Sequence, residues 1–243
     1  MSTDRTGGDP VAGLVASLTG ATDRDDAREA AWALLQLGCT EGGAVTATSA
    51  AVVDALLASL ETGGTPWQAD TLAVLDATAY SLGEWAHQLR SSSRPELYER
   101  QVAWEREVAE QLTHRLEPVR QLVAHAVPEV RSMAAALLGD AATDWEADLE
   151  LLLAAGAAEP DTLARACFAE AALRLTARSR RPALWSRASG PAQSWLAAPE
   201  AVVRYRAARQ LVEGPDGPLA ARAARVLQLD RAAAEPLVWP AEV

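Results

Sequence analysis

The sequence predicts an all-α protein built from consecutive helical hairpins, and three observations carry that expectation. Alanine and leucine dominate the 243 residues, with one Phe and three Tyr, and β-branched runs are scarce, so intrinsic preference favours helix over strand almost everywhere. The stretch 127–139, Val-Pro-Glu-Val-Arg-Ser-Met-Ala-Ala-Ala-Leu-Leu-Gly, has looser echoes on both sides of it. Helix start and stop signals recur at a matching spacing.

Aligned on the arginine of that stretch, the copies place Arg28 in Ala-Arg-Glu-Ala-Ala-Trp-Ala-Leu-Leu, Arg165 in Ala-Arg-Ala-Cys-Phe-Ala-Glu-Ala-Ala, and Arg204 in Val-Arg-Tyr-Arg-Ala-Ala-Arg-Gln-Leu. A further copy falls around Asp70, so the successive offsets are 42, 61, 34 and 39. Three of these sit near the period of paired-helix repeats, and the long one marks an insertion.

The elements follow in order. Residues 1–8 are polar and read as a flexible N-terminus; hairpins are expected over 9–38, 46–83, 95–140, 145–178 and 181–214, with a closing helix over 217–229 and a tail over 230–243. Thr65-Pro-Trp-Gln68, Ser93-Arg-Pro-Glu96 and Thr143-Asp-Trp-Glu146 each match a capping box, in which a hydroxyl and a later Glu or Gln satisfy free backbone N–H groups. Pro66, Pro128, Pro160 and Pro199 suit first-turn positions, where no N–H is needed. Gly38, Gly83, Gly139, Gly156 and Gly214 are expected to end helices, since glycine enters the left-handed conformation without strain. Each hairpin has an apolar face, such as Leu149, Leu152 and Leu153 opposite Leu163, Phe168 and Leu173, that it cannot bury alone. The tail Glu235-Pro-Leu-Val-Trp-Pro240 cannot stay helical past its prolines and is expected either to fold back as a cap or to remain mobile.

The Pro-Glu-Val-Arg…Ala-Ala…Leu pattern resembles the second helix of a HEAT repeat, and the likeness spans most of residues 9–229, with the insertion at 84–117. The resemblance implies a right-handed α-solenoid of about five HEAT-like hairpins with a closing C-terminal helix. It also implies that Arg28, Arg131, Arg165 and Arg204 are structural, forming a ladder of polar contacts between neighbouring turns. Asp70 departs from the pattern, which puts the second repeat's share of that ladder in doubt.

Composition narrows the functional classes. A net charge of −11 argues against a nucleic-acid backbone as the main ligand, because phosphate affinity needs clustered cations; the acidic surface reads first as a solvated one that keeps the chain soluble, with attraction of a basic partner protein as the sharper alternative. The first ten residues lack a secretory pattern, and no apolar stretch approaches the length needed to cross a bilayer, so a cytoplasmic location is expected. Cys39 and Cys167 are far apart with no CxxC, which gives a disulfide or metal site no support. His114 and His125 are separated by Pro118 and lack ligand-spaced carboxylates, while the Asp and Glu clusters lie at expected helix starts. No catalytic residue, metal ligand or cofactor motif emerges, and the reading is a non-catalytic scaffold or adaptor.

Partner contacts are expected at two places. The insertion carries Trp85, Tyr98 and Trp104, aromatic side chains that bury a large area with few rotatable bonds. Residues just after the aligned arginines, Glu29, Ser132, Ala166 and Tyr205, should face away from the core, with Arg209 one turn beyond Tyr205. The competing function is a DNA-handling or other enzyme on the same scaffold, such as an alkylpurine-glycosylase-like protein, which would need a continuous basic groove. A small-molecule pocket near Trp32 and Trp67 is a third reading.

Overall fold

Backbone hydrogen bonding within short helical segments accounts for nearly all the regular structure. A computed structural model describes residues 9–40, 43–63, 65–80, 82–83, 93–212 and 217–234. Among these residues there are twelve α-helices, one short 3-10 turn and no strand. The helices are α1 (Pro10–Gly20), α2 (Arg24–Gly38), α3 (Ser49–Glu61), α4 (Gln68–Tyr80), α5 (Glu99–His114), α6 (Glu117–Leu122), α7 (Pro128–Ala141), α8 (Trp145–Ala158), α9 (Thr162–Ser179), α10 (Pro182–Trp195), α11 (Ala201–Leu211) and α12 (Gly217–Ala234). None is long and apolar enough to cross a membrane. The N-terminus over 1–8, Trp85, Gly214 and the tail beyond 234 lie outside the described residues.

Aspartates rather than the expected boxes cap the helix starts. Asp9 accepts the N–H of Val11 at 3.0 Å, Asp23 those of Asp25 and Asp26, and Asp161 that of Ala164 at 2.9 Å. At α8 the cap is Asp144, which accepts from Ala147 at 3.2 Å, one residue later than the box on Thr143. Thr65 accepts from Trp67 at 3.1 Å, ahead of α4, and Ser93 precedes only the 3-10 turn Pro95–Leu97. Pro128 opens α7 as expected, but Pro160 and Pro199 sit one residue before the N-cap positions Asp161 and Glu200. An ionised carboxylate facing free N–H groups gains from the helix dipole as well as from the hydrogen bond.

The chain divides into two compact units, Met1–Pro118 and Val119–Val243. In the first, α2 packs on α1, α3 and α4, and α5 lies against α3. Val52, Val53, Leu56, Leu57, Leu72 and Leu75 form its closed interior. The link between α2 and α3 is pinned by an antiparallel bridge between Cys39 and Val45 and by Ser49, whose hydroxyl donates to the Gly38 carbonyl. Two side chains fix α5: Gln101 donates to the Val45 carbonyl at 2.7 Å, and Glu105 accepts the Gly83 N–H at 3.2 Å. Arg115 then reaches back to Glu61 at 2.7 Å and to Asp54.

In the second unit α9 is the central element, packing against α7, α8, α10 and α11, and α12 lies on α11. Eleven of its 18 residues are buried, Phe168 and Leu173 completely. Enclosing a side chain such as Phe168 contributes about 2–3 kcal/mol. Gly139 and Gly156 do not end helices. They sit inside α7 and α8, where a Cβ would come within 2.9 Å of the Ala171 Cα and of the Phe168 Cβ respectively. Small residues are needed there because the helix backbones approach so closely. Gly38 and Gly83 do mark ends, the latter with φ +92°. The closing helix runs on to Ala234 instead of stopping at 229.

Candidate functional site

All 22 basic side chains of this protein are arginines, and in the second unit they are used in a repeating way. Arg131 donates to the carbonyls of His125 and Ala126, in the turn before its own helix, and forks onto the Glu159 carboxylate at 2.7 and 2.6 Å. Arg165 donates to the Glu159 carbonyl at 3.2 Å and reaches Glu200 at 2.6 Å. Arg204 donates to the carbonyls of Ala198 and Pro199 and forks onto Asp230 at 2.6 and 2.8 Å. Each guanidinium therefore spans from the turn that precedes its helix to a carboxylate further along the chain, a geometry that only a planar multi-donor cation supplies. The strong bond donated by Arg131 holds the Glu159 carboxyl below its usual range, and the bond Arg204 donates to Asp230 pushes the Arg204 guanidinium up.

Beside this ladder lies a buried ionic network. Arg206 donates to Glu170 at 3.0 Å and to the Cys167 sulfur at 3.4 Å, and Gln210 donates to the same carboxylate at 3.1 Å. Arg174 bonds Asp140 and approaches Glu170 at 3.4 Å, while Arg178 stands 3.6 Å from Asp140. These groups tie α7, α9 and α11 together and use their chemistry on one another. Burial pushes the Cys167 thiol up, and Cys39 likewise, so neither is poised as a nucleophile. Sequence reasoning missed this network; its trace is the set of charged residues at 140, 170, 174 and 206 inside otherwise Ala/Leu-rich helices.

The first unit breaks the arginine pattern. Arg28 is exposed and makes no hydrogen bond or ion pair among the described residues, contrary to its expected structural role. One turn later Trp32 is 57 % exposed, the most open tryptophan among the described residues. An unpaired arginine and an open indole thus stand four residues apart on one helical face. Trp67, by contrast, is half-buried and spends its indole N–H on the Ala21 carbonyl at 3.1 Å, which makes it a brace between α4 and the end of α1. A cavity of about 380 Å³ between α1 and α2 is lined by Leu14, Ser17, Asp26, Glu29 and small residues and not by Trp32 or Trp67.

The expected contact residues are placed as follows. Trp85 lies outside the described residues, whereas Tyr98 and Trp104 are half-buried, Tyr98 at the start of α5. Tyr205 and Arg209 are half-buried on α11, about 100° around that helix from Arg206 and Gln210. Glu29 is exposed, but Ser132 and Ala166 are 2 % and 0 % exposed. The residue after the aligned arginine faces the seam between neighbouring helices in α7 and α9, so the outward expectation fails there. His125 accepts the Val127 N–H at 3.1 Å in the turn before α7, and His114 is exposed in the last turn of α5. Among the described residues no three His, Cys, Asp or Glu side chains are grouped to hold a metal ion. Comparison with protein-family models, with curated proteins and with solved structures finds no match to this chain.

Proposed function

We propose that this chain is a non-catalytic protein-interaction module whose helix pairs are HEAT-like hairpins, and that α2 carries its principal contact through Arg28 and Trp32. The carrying observation is the contrast among the aligned arginines. Arg131, Arg165 and Arg204 are each consumed by a carboxylate, whereas the Arg28 side chain has no ion pair among the described residues and stands one turn from an open tryptophan. Tryptophan and arginine are the residues that most often dominate binding energy at protein interfaces, because each desolvates a large surface and still offers directed donors. The repeated turn–arginine–carboxylate device supports the repeat reading, since it recurs at separations of 28, 35 and 26 residues. Tyr205 with Arg209, and Tyr98 with Trp104, are secondary contact pairs.

The partner in this reading is a cytoplasmic protein with a basic surface around an apolar groove: Asp25, Asp26 and Glu29 are exposed beside Arg28, and the groove receives Trp32. Cross-linking followed by affinity purification from the native cell, with Trp32→Ala and Arg28→Ala run in parallel, tests it. Reproducible recovery of one protein that falls at least about tenfold with either variant is the expected result, in keeping with interface anchors. Equal recovery by both variants would remove α2 as the contact, and a partner whose binding is insensitive to salt would remove its basic character.

A further inference from the structure

We propose that the cavity between the end of α9 and the first turn of α10 binds a small anion bearing a planar ring, of the size of a nucleoside monophosphate. The cavity encloses about 540 Å³, within the range of small-molecule sites. Arg180, Arg181 and Trp185 line it, with Thr176 and Ser186 beside them, and no carboxylate does so among the described residues. Neither Arg180 nor Arg181 forms a hydrogen bond or ion pair through its side chain among the described residues. Their neighbour Arg178 stands 3.6 Å from Asp140, and Arg187 stands 3.3 Å from Glu150. In a chain of net charge −11, these two adjacent guanidiniums, without an ion pair among the described residues, give this lining two positive charges.

The chemistry of the lining selects the ligand. Guanidinium forks match phosphate oxygens in plane, and the half-buried indole of Trp185 offers a face on which a heterocycle stacks. The junction is held in shape before any ligand arrives. Ser179 donates to the Thr176 carbonyl at 2.7 Å and accepts the Arg181 N–H at 3.2 Å. Arg180 itself has φ +53°, the one left-handed non-glycine among the described residues. A conformation that glycine would adopt more readily is kept by an arginine, which places its side chain at the cavity.

Isothermal titration of the full chain with AMP, adenosine and inorganic phosphate tests the proposal. AMP should bind with a dissociation constant below roughly 1 mM, at least about tenfold more tightly than either adenosine or phosphate, because the two halves of the site act together. Arg181→Gln and Trp185→Leu should each weaken AMP at least about fivefold, the loss of one charge-assisted pair or one stacking face. Arg180→Gly should weaken AMP while leaving the melting temperature equal or higher, which separates recognition from folding. No AMP binding at millimolar concentration, phosphate binding as tight as AMP, or unchanged affinity in Arg180→Gly would each overturn it.

Discussion

Gly139 lies directly against the backbone of Ala171: a Cβ on Gly139 would stand 2.9 Å from the Ala171 Cα and 3.0 Å from its carbonyl oxygen. The backbones of α7 and α9 approach closely there, with only the Ala171 methyl beside the contact. Gly139→Ala gains about 1 kcal/mol of helix propensity but forces apart backbone atoms that cannot rotate away, at about 1–3 kcal/mol. The clash should dominate, lowering the urea midpoint. Gly13→Ala in α1, where nothing lies within 4 Å of the added Cβ, should raise it by the propensity alone. A Gly139→Ala midpoint equal to or above the parent's would refute the close-contact account.

The Arg131–Glu159 pair should be the most sensitive rung of the ladder, because the Glu159 side chain is 2 % exposed and Arg131's 14 %. Arg131→Ala leaves a buried carboxylate without its cation, which costs about 3–5 kcal/mol. Arg131→Lys keeps the charge but loses the fork, and should cost about 1–2 kcal/mol. Arg28→Ala, on an exposed side chain with no ion pair among the described residues, should change stability by less than about 0.5 kcal/mol. Chemical denaturation of the three variants checks the order; equal losses for Arg131→Ala and Arg28→Ala would contradict it.

Acid should weaken the second unit through the same pair. Arg131 lowers the Glu159 pKa in the folded protein, so the folded state binds that proton less readily than the unfolded chain does. The stabilisation is complete above the unfolded value, near pH 4.3, and is lost as pH falls through the lower folded value. A Glu159→Gln variant should be less stable at pH 7 and show a shallower decline in stability between about pH 4.5 and 2.5. Parallel acid limbs for variant and parent would assign the pH dependence to other carboxylates.

Both thiols should resist modification in the folded protein. Cys39 and Cys167 are 5 % and 7 % exposed, and burial raises the pKa of each. Ellman's reagent at pH 8 should titrate well under one equivalent in buffer and two in guanidinium chloride. Rapid labelling of the native chain would show that α9 or the Cys39–Val45 bridge after α2 opens readily.

Much of the helical layout was legible from punctuation and period. The expected span 145–178 matches α8 and α9 to within one residue, and 181–214 contains α10 and α11, but the span 95–140 covers α5, α6 and all but the last residue of α7 where one pair was expected. A structural role for Arg131, Arg165 and Arg204 was implied by the resemblance to HEAT repeats, and each of the three is paired with a carboxylate. What escaped was the identity of the covering surface. Ser132 and Ala166 share a position with Tyr205, yet neighbouring helices bury the first two, and a sequence pattern marks a face without saying what lies on it. Gly139 and Gly156 looked like stops because glycine serves both turns and close approach, and composition does not separate the two uses. Arg28 looked like its counterparts because an arginine's partner sits elsewhere in the chain and leaves no mark in the arginine's own segment; Asp70 had already departed from the aligned pattern.

The exclusive choice of guanidinium has a practical result. Reagents and enzymes that act on primary amines, by acylation, methylation or isopeptide formation, find no lysine side chain anywhere in these 243 residues. Alkaline buffers that would discharge an ammonium leave guanidinium charged, so the cross-links between helices should outlast the pH range in which a lysine-built counterpart fails.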